Sequence, residues 1–193
     1  MTSTFDFQDG NGPVPAHRHT NGCGWVADTA YVSESAYIGP DARVYDSARV
    51  HGNAVVCDDA VVHGNAVVCG DAVVHGNAVV YGDAVVFDDA VVHCNAVVCG
   101  DAVVHGNAVV YGDAWVSGDA RINRGEYTET PVTITRSDGY TFTLQADGGV
   151  IAGYHYLTRE QAVAHWGDPK HHKHAEESMA ILTALYAIAE ARK

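Results

Sequence analysis

Histidine is the residue whose placement in this chain most invites a chemical reading. There are 12 in 193 residues. His51, His63, His75, His93 and His105 fall at intervals that are multiples of six. His17 and His19 are spaced as a two-point metal chelate, because alternate residues of an extended segment share a face. Trp25 follows in the lead-in Asn21-Gly22-Cys23-Gly24-Trp25-Val26. Toward the C-terminus lie His155, His165, His171, His172 and His174, the last three within Lys170-His171-His172-Lys173-His174. Imidazole titrates near neutral pH, so each can act as a general base, a metal ligand or a polar contact for a ligand. The flanking residues (His17, His19, Trp25, His155, His165, His171, His172 and His174) are the candidate ligand-binding set. The plainer alternatives are an end cap for the first three and a solvated connector for the basic run.

The elements that must position these residues are set by a six-residue period. Alanine recurs at every sixth position from Ala30 to Ala120, and a branched aliphatic follows two residues later, from Val32 to Ile122. Gly24 and Val26 fill the same slots one unit earlier, giving 17 uninterrupted units from 24 to 123. Six fits neither helical periodicity nor a single long strand, but it accommodates a short strand plus a corner. Most corners read Gly-Asn or Gly-Asp, such as Gly64-Asn65 and Gly82-Asp83, which tolerate tight backbone angles. Short strands bent at regular corners wind into a solenoid. Only Ala and Val or Ile occupy two slots, which therefore face inward. The slot between them holds Trp25, Tyr31, Arg43, Arg49 and Trp115, and so faces outward; ten consecutive units place valine there, Val55 through Val109. Strand propensity accounts for such valines, and so does burial against another subunit.

The pattern A-x-[VI]-x-[GD]-[ND] resembles the hexapeptide-repeat family of left-handed parallel β-helices. The resemblance implies an all-β solenoid in which three hexapeptides close one triangular coil of 18 residues. It further implies about six coils, a rod on the order of 27 Å long, and assembly as a homotrimer. The order of parts is similar to that of hexapeptide-repeat proteins of phages and bacteria. The family includes acyltransferases, carbonic anhydrases and non-enzymatic scaffolds, so the resemblance specifies fold more than function. Its carbonic anhydrases bind metal partly through an H-x-x-x-x-H pair that this solenoid lacks. Its acyltransferases often hold a histidine on a loop extruded between coils, and no loop interrupts these units. On an 18-residue coil His75 and His93 stack on one face. They are the base candidates if the protein is an acyltransferase using CoA or an acyl carrier. On the same spacing none of the helix cysteines Cys57, Cys69, Cys94 and Cys99 lies above another, and no C-x-x-C pair occurs, so the five cysteines read as free thiols.

Charge narrows the partners. The net charge is −13, and 50–120 contains nine aspartates but no Lys or Arg. Asp83, Asp101 and Asp119 stack on one corner at 18-residue spacing, as a ladder that is either solvated or countered by a divalent cation such as calcium. An acidic rod does not attract nucleic acid. It can imitate nucleic acid toward a basic protein partner. The absence of an apolar run near 18 residues or of a basic, apolar leader points to a cytoplasmic protein without a membrane span.

The chain divides into an N-terminal arm (1–23), the solenoid (24–123) and a C-terminal α+β cap (124–193). In the cap, alternation predicts strands at 132–135 and 140–144 around Ser137-Asp138-Gly139, and a third at 150–156. Thr158-Arg159-Glu160-Gln161 predicts a capped short helix to about Trp166. Met179, Leu182, Leu185, Tyr186 and Ala189 mark a longer helix from about Ala175. Residues 61–90 and 91–120 are nearly identical. That period of 30 is not a whole number of coils, so the duplication moves each side chain to a different face and would scramble a catalytic one. The reading that follows is a non-catalytic, homo-oligomeric scaffold or binding protein without a cofactor, whose sites lie at its ends or subunit interfaces.

Overall fold

The computed structural model describes residues 3–168 and 173–192. The centre is a parallel β-solenoid. Each two-residue rung pairs with the rung 18 positions on, as Val61 with Val79 and Val79 with Val97. Trp25, Arg43, Val61, Val79, Val97 and Trp115 mark the successive rungs of one face. A second face carries Tyr31, Arg49, Val67, Val85, Val103 and Arg121. The third carries Tyr37, Val55, Val73, Val91 and Val109. The inward slots form one continuous core. From Ala36 to Val116 every alanine and aliphatic in them is fully buried, while the valines between them are half-buried. The core is narrow: from Ala36 to Val116 its inward slots hold nothing larger than Ile.

From Asp46 onward the corners sit at left-handed residues. Gly82 has φ +74°, and a Cβ there would lie 2.9 Å from the backbone nitrogen of Gly100 in the next coil. Glycine supplies both the angle and the clearance. Asp46, Asp58, Asp88 and Cys94 adopt the same angle without being glycine, at φ +59°, +55°, +60° and +61°.

The solenoid runs slightly beyond Asn123. The pairing of Val104 with Ile122 shifts by one residue, so that Asn107 meets Arg124 and Val110 meets Tyr127. Tyr127 is buried and joins the solenoid core. The alanine pattern has lapsed by then, which conceals this extra rung in the sequence.

Two extensions close the rod. In the arm, Val14–Arg18 pairs antiparallel with Thr4–Phe5 on one side and with the first rung, Trp25–Ala27, on the other. At the other end Thr133–Thr135, Thr141–Leu144, Val150–Ala152 and His155–Leu157 make a four-stranded antiparallel meander. The expected third strand over 150–156 is two strands, because Gly153 at φ +62° turns the chain back. Helix α1 spans Arg159–Trp166 behind the capping box of Thr158 and Gln161, and α2 spans Ala175–Ala191. Phe142, Trp166, Leu182 and Leu185 centre a separate small core. No helix among the described residues is long and apolar enough to cross a membrane.

Candidate functional site

The solenoid histidines form columns. His75 and His93 stack with ring centroids 4.9 Å apart and planes 1° from parallel, and Tyr111 continues the column 5.2 Å beyond His93. A second column runs Phe7, Tyr45, His63, Tyr81 at 4.8–5.1 Å spacings. Phe87 and His105 stack on the third corner. The 18-residue coil superposes these slots, and flat rings fill the rung spacing. Burial, then the neighbouring His75, pushes His93 below the ordinary imidazole range. His105 is pushed down by burial against the opposing pull of Asp88.

Three of these histidines share a device that sequence reasoning missed. Asp46, Asp58 and Asp88 each place a carboxylate oxygen 3.1–3.2 Å from the backbone N–H of Gly64, Gly76 and Gly106, one coil on. The same oxygen lies 3.5–3.8 Å from Nδ1 of His63, His75 and His105. An aspartate that tolerates a left-handed corner thus accepts a bond a glycine could not. The signal was present: each aspartate precedes a His-Gly pair by 17 and 18 residues. His93 has no such aspartate beneath it; its Nδ1 meets the thiol of Cys94 at 3.2 Å.

The acidic corners are likewise engaged along the rod. Asn53 donates to Asp71, Asn65 to Asp83, Asn77 to Asn95 and Asn95 to Asp113, at 3.0–3.1 Å. Asp83, the first of the proposed ladder Asp83, Asp101 and Asp119, is therefore an amide acceptor. Among the described residues no three of His, Cys, Asp and Glu form a group that could hold a metal ion. All five cysteines are free, and burial raises the thiols of Cys57 and Cys69.

At the N-terminal end the chelate candidates part. His17 Nδ1 meets Asp28 at 2.9 Å on the surface, whereas His19 is buried with Nε2 3.1 Å from the carbonyl of Ala36. That carbonyl only accepts, so His19 carries its proton on Nε2. Asn21 donates to the same carbonyl, and Arg18 to those of Cys23 and Pro40. Trp25 stacks on Phe5 at 4.4 Å and lies under the Arg18 guanidinium. These residues close the first coil.

The C-terminal end is closed by Gln145. Its Oε1 accepts from Asn123 N–H and the Tyr127 hydroxyl, and its Nε2 donates to the carbonyl of Arg121. Thr143 Oγ1 accepts from Arg121 N–H. In the rod, the backbone of Val74 serves Cys57 in the equivalent way, and Ala72 serves Val55. Side chains of the meander stand in for a missing rung. Burial raises the Tyr127 phenol far above its ordinary value.

The remaining histidine candidates do not converge. His155 is exposed on the last strand of the meander, and His165 packs edge-on against Trp166 at 4.6 Å. His171 and His172 lie outside the described residues. His174 precedes α2, 3.6 Å from Asp138 and 3.7 Å from Glu177. There Arg136 is buried, binding both oxygens of Asp138 at 2.8 Å and donating to Ser178 at 2.9 Å. The Arg136 hydrogen bonds hold Asp138 far below the usual carboxylate range. This network pins the hairpin to α2.

A cleft of about 610 Å³ opens between the last rung, the turn at 145–149 and the two helices. Glu126, Tyr127, Asp147, Tyr156, Glu160 and Tyr186 are among its walls. Its emergence from four separate segments left no spacing signal in the sequence. No protein-family model, curated protein or solved structure matches the chain.

Proposed function

We propose that the chain is a left-handed hexapeptide-repeat solenoid acting as a non-catalytic, homotrimeric scaffold in the cytoplasm. The observation that carries this reading is the mutual engagement of the rod's polar side chains. Rings stack on rings, and amides donate to carboxylates, in 18-residue columns. Such columns stiffen a rod and leave few groups for a substrate. Self-association is supported by the third face, whose outward column Tyr37, Val55, Val73, Val91 and Val109 is uncharged until Glu126 follows on the last rung. The other faces interrupt theirs with Arg43, or with Arg49 and Arg121. An uncharged stripe on an acidic molecule suits a second copy of itself.

Acyl transfer at a subunit interface requires His75 or His93 to reach a substrate hydroxyl. Both rings lie flat within a column, and His93 Nδ1 already meets Cys94, so this alternative has less support. Sedimentation equilibrium tests the scaffold reading. The wild type sediments as a trimer, Val73→Lys as a monomer, and Val79→Lys and Val85→Lys, on the other faces, as trimers. A monomeric wild type, or equal disruption by all three substitutions, sinks it.

A further inference from the structure

The closure of the first coil omits one face. Each rung of this coil turns the same main-chain groups away from the rod: the carbonyl of the alanine slot, and the N–H and carbonyl of the inward aliphatic. On the third face these are the carbonyl of Ala36 and both groups of Ile38. His19 and Asn21 serve Ala36, and the main chain of Asn21 and Gly24 serves Ile38 at 2.9–3.0 Å. On the first face, His19 N–H donates to the carbonyl of Gly24, and His17 pairs with Val26. On the second face, Tyr31–Val32 ends its sheet and pairs only with Arg49–Val50 in the next coil. The carbonyl of Ala30 and the N–H and carbonyl of Val32 have no partner among the described residues.

The core is open at the same place. Ala30 and Val32 are half-buried, whereas every inward residue from Ala36 to Val116 is fully buried. Tyr31, between them, is 54% exposed. The last rung of the first face, Trp115–Val116, also ends its sheet, but its inward residues Ala114 and Val116 are fully buried. An open strand edge beside uncovered apolar side chains is what an added strand requires.

We propose that Tyr31–Val32 receives an extended peptide of a partner protein as one further rung before the first coil. Its main chain offers N–H, C=O and N–H to the carbonyl of Ala30, the N–H of Val32 and the carbonyl of Val32. By the same exchange Tyr31 and Ser33 donate to the carbonyls of Ala48 and Val50 on the other side. Its inward residues are small and then branched aliphatic, to cover Ala30 and Val32. Between them a basic residue suits the exposed Tyr31 ring on a molecule of net charge −13. Ala48-Arg49-Val50, which meets Tyr31–Val32 from within the rod, has this order of residues. The edge lies on the second face, so it stands independently of association through the third.

The capped peptide Ser-Ala-Arg-Val-His-Gly, the sequence of 47–52, is the probe, added to the full chain. Titration calorimetry should show one site per chain and an affinity that falls as salt is raised. The Val32 amide should exchange freely in the protein alone and about tenfold or more slowly at saturation. N-methylation of the peptide's arginine removes the donor to Ala30 and should weaken binding about tenfold. Aspartate in place of the peptide's valine should abolish it. Tyr31→Ala, an exposed substitution, should weaken binding about threefold. Absence of saturation, a Val32 amide unaltered by the peptide, or equal affinity for the N-methylated peptide overturns the proposal. So does a Val32 amide that becomes protected as the protein alone is concentrated, which assigns the edge to a second copy.

Discussion

The rod is finished differently at its two ends. At the start, the chain supplies its own preceding rung. Val14–Arg18 pairs along Trp25–Ala27, the main chain at Asn21 and Gly24 pairs with Ile38, and His19 and Asn21 share one leftover carbonyl. At the finish, a separate sheet crosses the last coil, and side chains of Thr143 and Gln145 substitute for main chain. A main-chain closure distributes its hydrogen bonds over many residues. A side-chain closure concentrates them in very few, so the two ends should differ in their tolerance of substitution.

The sharpest contrast is Gln145→Leu, which leaves Asn123 N–H, the Arg121 carbonyl and the Tyr127 hydroxyl without this partner. Its cost is on the order of 3–5 kcal/mol, read by urea unfolding, with rapid exchange of the Asn123 amide. His19→Ala tests the opposite end. Asn21 still serves the Ala36 carbonyl, so the loss should be about 1–2 kcal/mol. Equal costs at the two ends would break the comparison.

The middle offers a third point of reference. Asp58→Ala keeps the left-handed strain and loses the bond to Gly76 N–H, costing about 1 kcal/mol. Asp58→Gly relieves the strain as it loses the bond, so its melting temperature should stay close to wild type. The smallest effect is that of pH. His93 and His105 are held below their unfolded value by burial. The unfolded chain therefore binds their protons more readily, and stability falls as pH drops below about 6.5. Replacing both with phenylalanine should flatten that slope at the middle-coil amides in hydrogen exchange and leave the ends unaltered.

The comparison also shows what a sequence can disclose. Inward alanines and aliphatics, glycine corners, the His75–His93 stack and the Thr158 capping box were legible because each follows from local spacing or from the coil length. The His17–His19 pair parts because His17 lies on the strand and His19 just past its end, where they serve different neighbours: Asp28 for one, the Ala36 carbonyl for the other. Gln145 and the cleft were illegible. Their partners lie about 20 or more residues away along the chain, across an irregular connection whose path no repeat dictates. The extra rung to Tyr127 was hidden because an aromatic took an aliphatic's place.

Interchangeable coils set the length of the rod, and individually built ends close it. Removing residues 61–78, one whole coil, joins Ala60 to Val79 without disturbing the six-residue order, and hydrogen exchange on the shortened chain tests the division most directly. The amides of Ile38 and Asn123 should remain as protected as in the full chain. Loss of protection at either end, or failure of the shortened chain to fold cooperatively, would contradict it.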